Sequence, residues 1–128
     1  MKLNKELLDN MFEQARNNPR LRQSYDLRTS AEDSSQRMLN ALLPRTEVAV
    51  HKHPMSNENV ILLFGKMDEI ICDAEGKEVE RIHLDPTIGN FGCVVSADTW
   101  HTVEVFEPSV IYEGKDGKYG EDGSVKLG

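Results

Sequence analysis

Apolar and polar positions alternate with two different periods along this chain. From about Asn4 to Asn17 the period is helical: Leu7, Leu8, Met11, Phe12 and Ala15 fall on one stripe. Asn4 is placed to cap that helix, and Leu3 is placed to pack on Leu8 as a hydrophobic staple. Asn17, Asn18 and Pro19 end it, since the residue before a proline disfavours helical backbone. After an irregular arginine-containing segment and the polar loop SAEDSS, the period shortens to two. QRMLNALLP, TEVAVHKH, NVILLFGKMDEIICD, KEVERIHLD, FGCVVSAD, TWHTVEVF and SVIYEGK read as strands. Pro44, the turn from Asp73 to Gly76, Pro86, Gly89 and Pro108 punctuate them. Short strands with no alternating helices predict an all-β sandwich or barrel carrying one N-terminal helix. The division expected is residues 1–35 for helix and arginine-rich segment, 36–114 for the barrel and 115–128 for a loosely held tail anchored by Tyr119, all within one domain, 1–128.

Composition narrows the partners. With 128 residues, 29% charged and 38% hydrophobic, the chain has the balance of a soluble globular domain. A net charge of −7 and the lack of a basic stripe speak against nucleic acid. No stretch has the apolar length of a membrane span or of a signal peptide, so a cytoplasmic protein is expected. Cys72 and Cys93 lie too far apart for a CxxC motif and read as free packing thiols. Six of seven arginines precede residue 46. Most read as a solvated face, with Arg20, Arg22 and Arg37 as candidates to grip an anionic group.

The chemistry concentrates in HKHPMSNENVILLFG, residues 51 to 65. His51 and His53 are one residue apart, so on a strand they point to the same face. Alone, such a pair is as readily surface decoration as half of a metal site. Glu58 returns to that face together with Val60 and Leu62 if the chain turns at Pro54 to Asn57. In TWHTVEV, His101 shares a face with Val103 and Val105 and so points inward. Three imidazoles and a carboxylate make a nitrogen-and-oxygen set for one divalent metal, with zinc, iron(II), manganese and nickel all tolerated. His83, in ERIHL, reads as an ordinary exposed residue.

His51-x-His53, four residues to Glu58 and six more to Gly65 resemble the first motif of the cupins, and Gly92 to His101 occupies the place of the second. Ser96 and Asp98 stand where that motif usually has proline and glycine, and Val105 where asparagine is common. The resemblance extends over nearly the whole chain to the WbuC group of cupin-fold metalloproteins, through QRMLNALLP, TWHTV, YEGKDGKY and the arginines Arg20 and Arg22. It implies a single cupin, a double-stranded β-helix or jelly-roll barrel, with the metal held by His51, His53, Glu58 and His101. The group's name links it to surface-polysaccharide synthesis.

Three functions fit such a site. The first is an enzyme acting on a small polar substrate, such as a sugar or nucleotide sugar, by isomerisation, epimerisation or oxidation. In it Arg37 and Asn40 orient the substrate, and Tyr112 or Glu113 transfers a proton. The second is a non-catalytic module in which metal and arginines bind a small anionic ligand. The third is a structural metal that pins the barrel. Trp100 is expected to pack under the helix. Thr46, Val48 and Val50 form an outer face for the helix or a second subunit to cover, and the cupin resemblance implies a homodimer.

Overall fold

A computed structural model describes residues 1–117 and 123–128. Helix α1 spans Lys5–Arg16, and the Asn4 side chain accepts a hydrogen bond from the Leu7 amide at 3.1 Å. Leu3, expected to staple the helix start, stays 53% exposed. Met11, Phe12 and Ala15 are buried against Leu39, Ala41, Leu43 and Val110. Each large apolar side chain so buried contributes about 1.5–3 kcal/mol. Among the described residues, no helix is long and apolar enough to cross a membrane.

The rest is β structure: β1 (Arg22–Asp26), β2 (Ser35–Leu42), β3 (His51–Lys52), β4 (Glu58–Cys72), β5 (Glu78–Leu84), β6 (Gly92–Val95), β7 (Trp100–Asp116) and β8 (Val125–Lys126). All pairings between these strands are antiparallel. The path runs β1-β2-β7-β3-β8, with β4 pairing β5, β6 and β7. This is the expected all-β architecture with one helix, although the described ladder does not close into a ring.

Strand boundaries differ from the expected ones in four places. TEVAVHKH yields only the two-residue β3. The arginine-containing segment forms β1, because its backbone completes the edge of β2. TWHTVEVF and SVIYEGK are one strand, β7, which runs through Pro108. Proline is tolerated there because the β4–β7 register shifts between Phe64 and Met67, which relieves the ladder of a regular bond. The expected loose tail is paired in its last part: β8 lies against β3, and the Leu127 amide donates to Val50 O at 2.9 Å. Tyr119 lies outside the described residues.

Gly65 makes the bend of β4. Its φ is +105°, and a Cβ there would collide with Ser109 and the Pro108 carbonyl. Only glycine meets both conditions. The bend lets one half of β4 pair with residues 110–114 of β7 and the other with 100–107. Both halves face an interior built on Leu42, Val60, Leu62, Met67, Leu84, Val105 and Ile111.

Candidate metal centre

Three elements bring the four expected ligands together. His51 pairs directly with His101 across β3 and β7. Glu58 opens β4, where alternate residues Glu58, Val60 and Leu62 are buried. One nitrogen or oxygen of each of His51, His53, Glu58 and His101 lies within 4.8 Å of the others. The three rings are 4.3 to 5.6 Å apart, centroid to centroid.

Each imidazole is held through Nδ1. That of His51 meets Ala49 O at 2.8 Å, that of His53 meets Ser124 Oγ at 2.7 Å, and that of His101 meets Glu69 Oε1 at 2.7 Å. Anchoring one ring nitrogen fixes the tautomer and aims the other, as in established metal sites. His101 is 2% exposed, and its Nε2 is buried with no hydrogen-bond partner. A buried imidazole nitrogen in that state needs a partner, and a divalent cation satisfies it. His53 Nε2 lies 2.8 Å from Glu58 Oε2.

The electrostatics suit a cation. Burial, then the neighbouring His101, depress the His51 pKa, and burial also depresses that of His101. Both rings are therefore neutral, as ligands must be. Burial works to raise the Glu58 pKa. The hydrogen bond from His53 and the surrounding histidines outweigh it and hold the carboxyl below its usual range.

The turn before His101 forms despite its unusual residues. Asp98 adopts φ +62°, the left-handed conformation for which the cupin pattern supplies glycine. Its amide donates to His53 O at 2.9 Å, and its carboxylate pairs with Lys52 at 2.8 Å. Asn57 Oδ1 accepts from the Ala97 amide at 2.8 Å. These three contacts bind the turn to the segment that runs from β3 to β4. Val105 simply joins the inner core.

Other candidate residues scatter. Asn40 and Glu113 face inward and touch: Asn40 Nδ2 donates to Glu113 Oε1 at 2.8 Å. Burial and the charge of Glu58 push the Glu113 pKa up to about 8. Protein surrounds its carboxyl, although the residue as a whole is only half-buried. Tyr112, the alternative proton carrier, faces the other way and packs on the helix-side core, because β7 alternates. Arg37 also lies on that outer face, beside Leu39, and pairs with Asp33. Arg20 is exposed in the turn after α1, and Arg22 sits on β1, separated from β7 by β2. Neither arginine reaches the cluster. Trp100 is not under the helix but beneath Lys52, whose Nζ stands 4.7 Å from the ring centroid.

Sequence reasoning missed Glu69, Gln36 and Ser124. Glu69 carried a signal: it is the acid on the face shared by Met67 and Ile71, opposite Val103. A carboxyl on an apolar face needs a polar partner. It is 1% exposed, and burial together with the Glu58 charge raises its pKa well above the usual range. His83 is exposed, as expected, with its Nδ1 2.6 Å from Asp68 Oδ1. Both cysteines are free, and burial pushes the Cys93 thiol up to about 12, in keeping with packing roles.

Replacing Glu69 by leucine removes the acceptor for His101 Nδ1. Metal affinity is expected to fall about 10–100-fold in a chelator competition. Glu69→Gln keeps a carbonyl acceptor and is expected to stay near the parent value. Equal losses in the two variants would show that hydrogen bonding to His101 is not what Glu69 provides.

The family model described as a domain of unknown function (DUF6016) matches residues 3–84. No curated protein matches the chain. Among solved structures, the capsular polysaccharide assembling protein CapF from Staphylococcus aureus superposes with a TM-score of 0.62 at 16% identity. That match covers 74% of this chain and only 27% of CapF. A cupin 2 domain-containing protein from Halorhodospira halophila gives 0.61 at 14% identity, covering 82% of this chain and 68% of its own. The oxalate decarboxylase of Lactobacillus farciminis, solved as a formate complex, gives 0.59 at 11% identity, covering 83% and 30%. At these identities the likeness establishes the fold, which is that of the cupins.

Proposed function

For a chain that belongs to the family described as a domain of unknown function (DUF6016) and folds as a cupin, we propose a metal-dependent enzyme acting on a small polar substrate, such as a sugar. The observation that carries this reading is the convergence of His51, His53, Glu58 and His101, with a buried, unpartnered His101 Nε2. These four residues would hold one divalent metal, and zinc, iron(II), manganese and nickel all suit the donors. When bound, the metal supplies Lewis-acid polarisation of a carbonyl or hydroxyl oxygen.

The chain's own part is positioning and proton movement. Glu113 is an inward carboxyl whose pKa of about 8 leaves it protonated near neutral pH, and Asn40 orients it. A carboxylic acid in that state donates a proton to a substrate oxygen, and as the carboxylate it takes one back. Isomerisation or epimerisation needs that exchange. CapF is described as a capsular polysaccharide assembling protein. That description supports polysaccharide synthesis as the setting and a WbuC-type kinship for this chain. We take the whole of residues 1–128 as the functional unit, cytoplasmic, and paired as a homodimer that covers the exposed Ile61, Leu63 and Val94.

A second reading, a structural metal, draws on the burial of the site: Glu58 is 5% and His101 2% exposed. Four protein donors close the shell of a tetrahedral zinc, whereas an octahedral metal keeps two positions open. The test is turnover of a sugar and nucleotide-sugar panel by metal-loaded protein, beside Glu113→Gln. The enzyme reading expects activity that falls about 10²–10⁴-fold in the variant while metal content is unchanged. A closed coordination shell, seen as the lack of exchangeable water on bound manganese, would sink it in favour of the structural metal.

A further inference from the structure

Beyond the ligand cluster, the interior wall carries a polar set that metal ligation leaves unused. Register places Glu113 opposite Val60 on β4 and opposite Met38 on β2. Gln36 and Asn40 are its diagonal neighbours on β2, and both amides reach it. Asn40 Nδ2 donates to one carboxyl oxygen at 2.8 Å, and Gln36 Nε2 to the other at 3.2 Å. The Gln36 amide is only half used. The residue is 4% exposed, and its Oε1 is buried with no hydrogen-bond partner. A surface cleft whose lining includes Arg37, Ser56, Asn59 and Lys115 meets this set at Gln36.

We propose that Gln36, Asn40 and Glu113 form a subsite for a neutral hydroxyl group of the ligand, in preference to an anionic group. The proposal rests on the reading of this interior as a site for a small polar molecule. Gln36 Oε1 only accepts, so the ligand must bring a donor. A hydroxyl brings one, and its oxygen still accepts. Glu113 suits it in either state: the neutral acid donates to the hydroxyl oxygen, and the carboxylate accepts its proton. An ionised carboxylate or sulfonate has no proton for Gln36 Oε1. This selection runs against the arginine-gripped anion expected from the sequence.

The test is an NMR titration of the zinc-loaded full chain, following the side-chain amide signals of Gln36 and Asn40. Gln36→Met and Asn40→Met assign those signals by their loss. Glycerol is the neutral probe, and methanesulfonate, which has no hydroxyl and coordinates metals weakly, is the anionic one. Glycerol is expected to shift both signals saturably, with a dissociation constant on the order of 50 mM, the range for a fragment of six heavy atoms. Methanesulfonate is expected to bind about tenfold more weakly or worse. Gln36→Met should abolish the glycerol response at Asn40; should that variant fail to fold, the wild-type preference decides. No saturable glycerol response up to about 1 M, or equal binding of methanesulfonate, overturns the proposal. The titration is repeated after EDTA treatment. A glycerol response that survives EDTA treatment, in a chain whose metal-loaded forms turn over no sugar of the panel, removes the enzyme reading and leaves the subsite standing.

Discussion

A chain carrying both His51→Ala and His53→Ala is expected to emerge from purification with no bound metal and with its β structure intact. Two of four donors are gone, and a Glu58–His101 remnant cannot close a coordination shell. Folding should survive because neither histidine belongs to a hydrophobic cluster; the inner core is built on β2, β4, β5 and β7. The losses are the Nδ1 contacts with Ala49 and Ser124, about 1 kcal/mol each, and the His53 contact with the Glu58 carboxyl, about 1.5–3 kcal/mol. Metal analysis beside circular dichroism separates the two effects, and full occupancy in the double variant would show that the ligands lie elsewhere. The same site should release metal on acidification with a midpoint below about 6.5, because protons must displace it from imidazoles whose pKa values burial already depresses. Metal still held well below the carboxylate range would count against a histidine site.

The ligand set was legible because strand alternation is a strict rule. One residue between His51 and His53 makes them co-facial, and the apolar neighbours Val103 and Val105 marked the inward face for His101. The partners that orient those ligands were harder to see, since they come from elements far off in sequence. Ser124 reaches His53 only because β8 pairs with β3, a contact that no local pattern announces. Which of the further candidates face the cluster was hidden for a related reason. Tyr112 and Glu113 are adjacent, so a strand must put them on opposite faces, and only the pairing with Val60 tells which one points inward. Arg37 and Gln36 divide in the same way. Merging two expected strands into β7 also lay outside local reasoning, because Pro108 is tolerated only where the Gly65 bend shifts the ladder.

In metal-free protein, the melting temperature is expected to fall as pH rises from about 6.5 to 8, and Glu113→Gln should remove much of that slope. The sign follows from the protons bound in each state. An unfolded glutamate titrates near 4.3, so in this window it is ionised. In the folded protein, burial holds Glu113 protonated up to about 8 and Glu69 well above the usual range. Their folded pKa values are raised. The stability they contribute is therefore complete below the unfolded value and lost as pH rises through the folded one. His51 and His101 act in the opposite sense: with folded pKa values lowered, they cost stability only as pH falls below about 6.5. Just above that point their residual protonation in the unfolded state adds a small opposite slope, which vanishes by about pH 7.5 and which the two carboxyls outweigh. The glutamine variant keeps the bond from Asn40 through its carbonyl but has no ionisation to penalise. Calorimetry of EDTA-treated wild type and variant at three or more pH values would decide it. Parallel curves would mean that Glu113 is ionised in the folded interior at neutral pH, and the proton donor of the proposed reaction would have to be sought elsewhere.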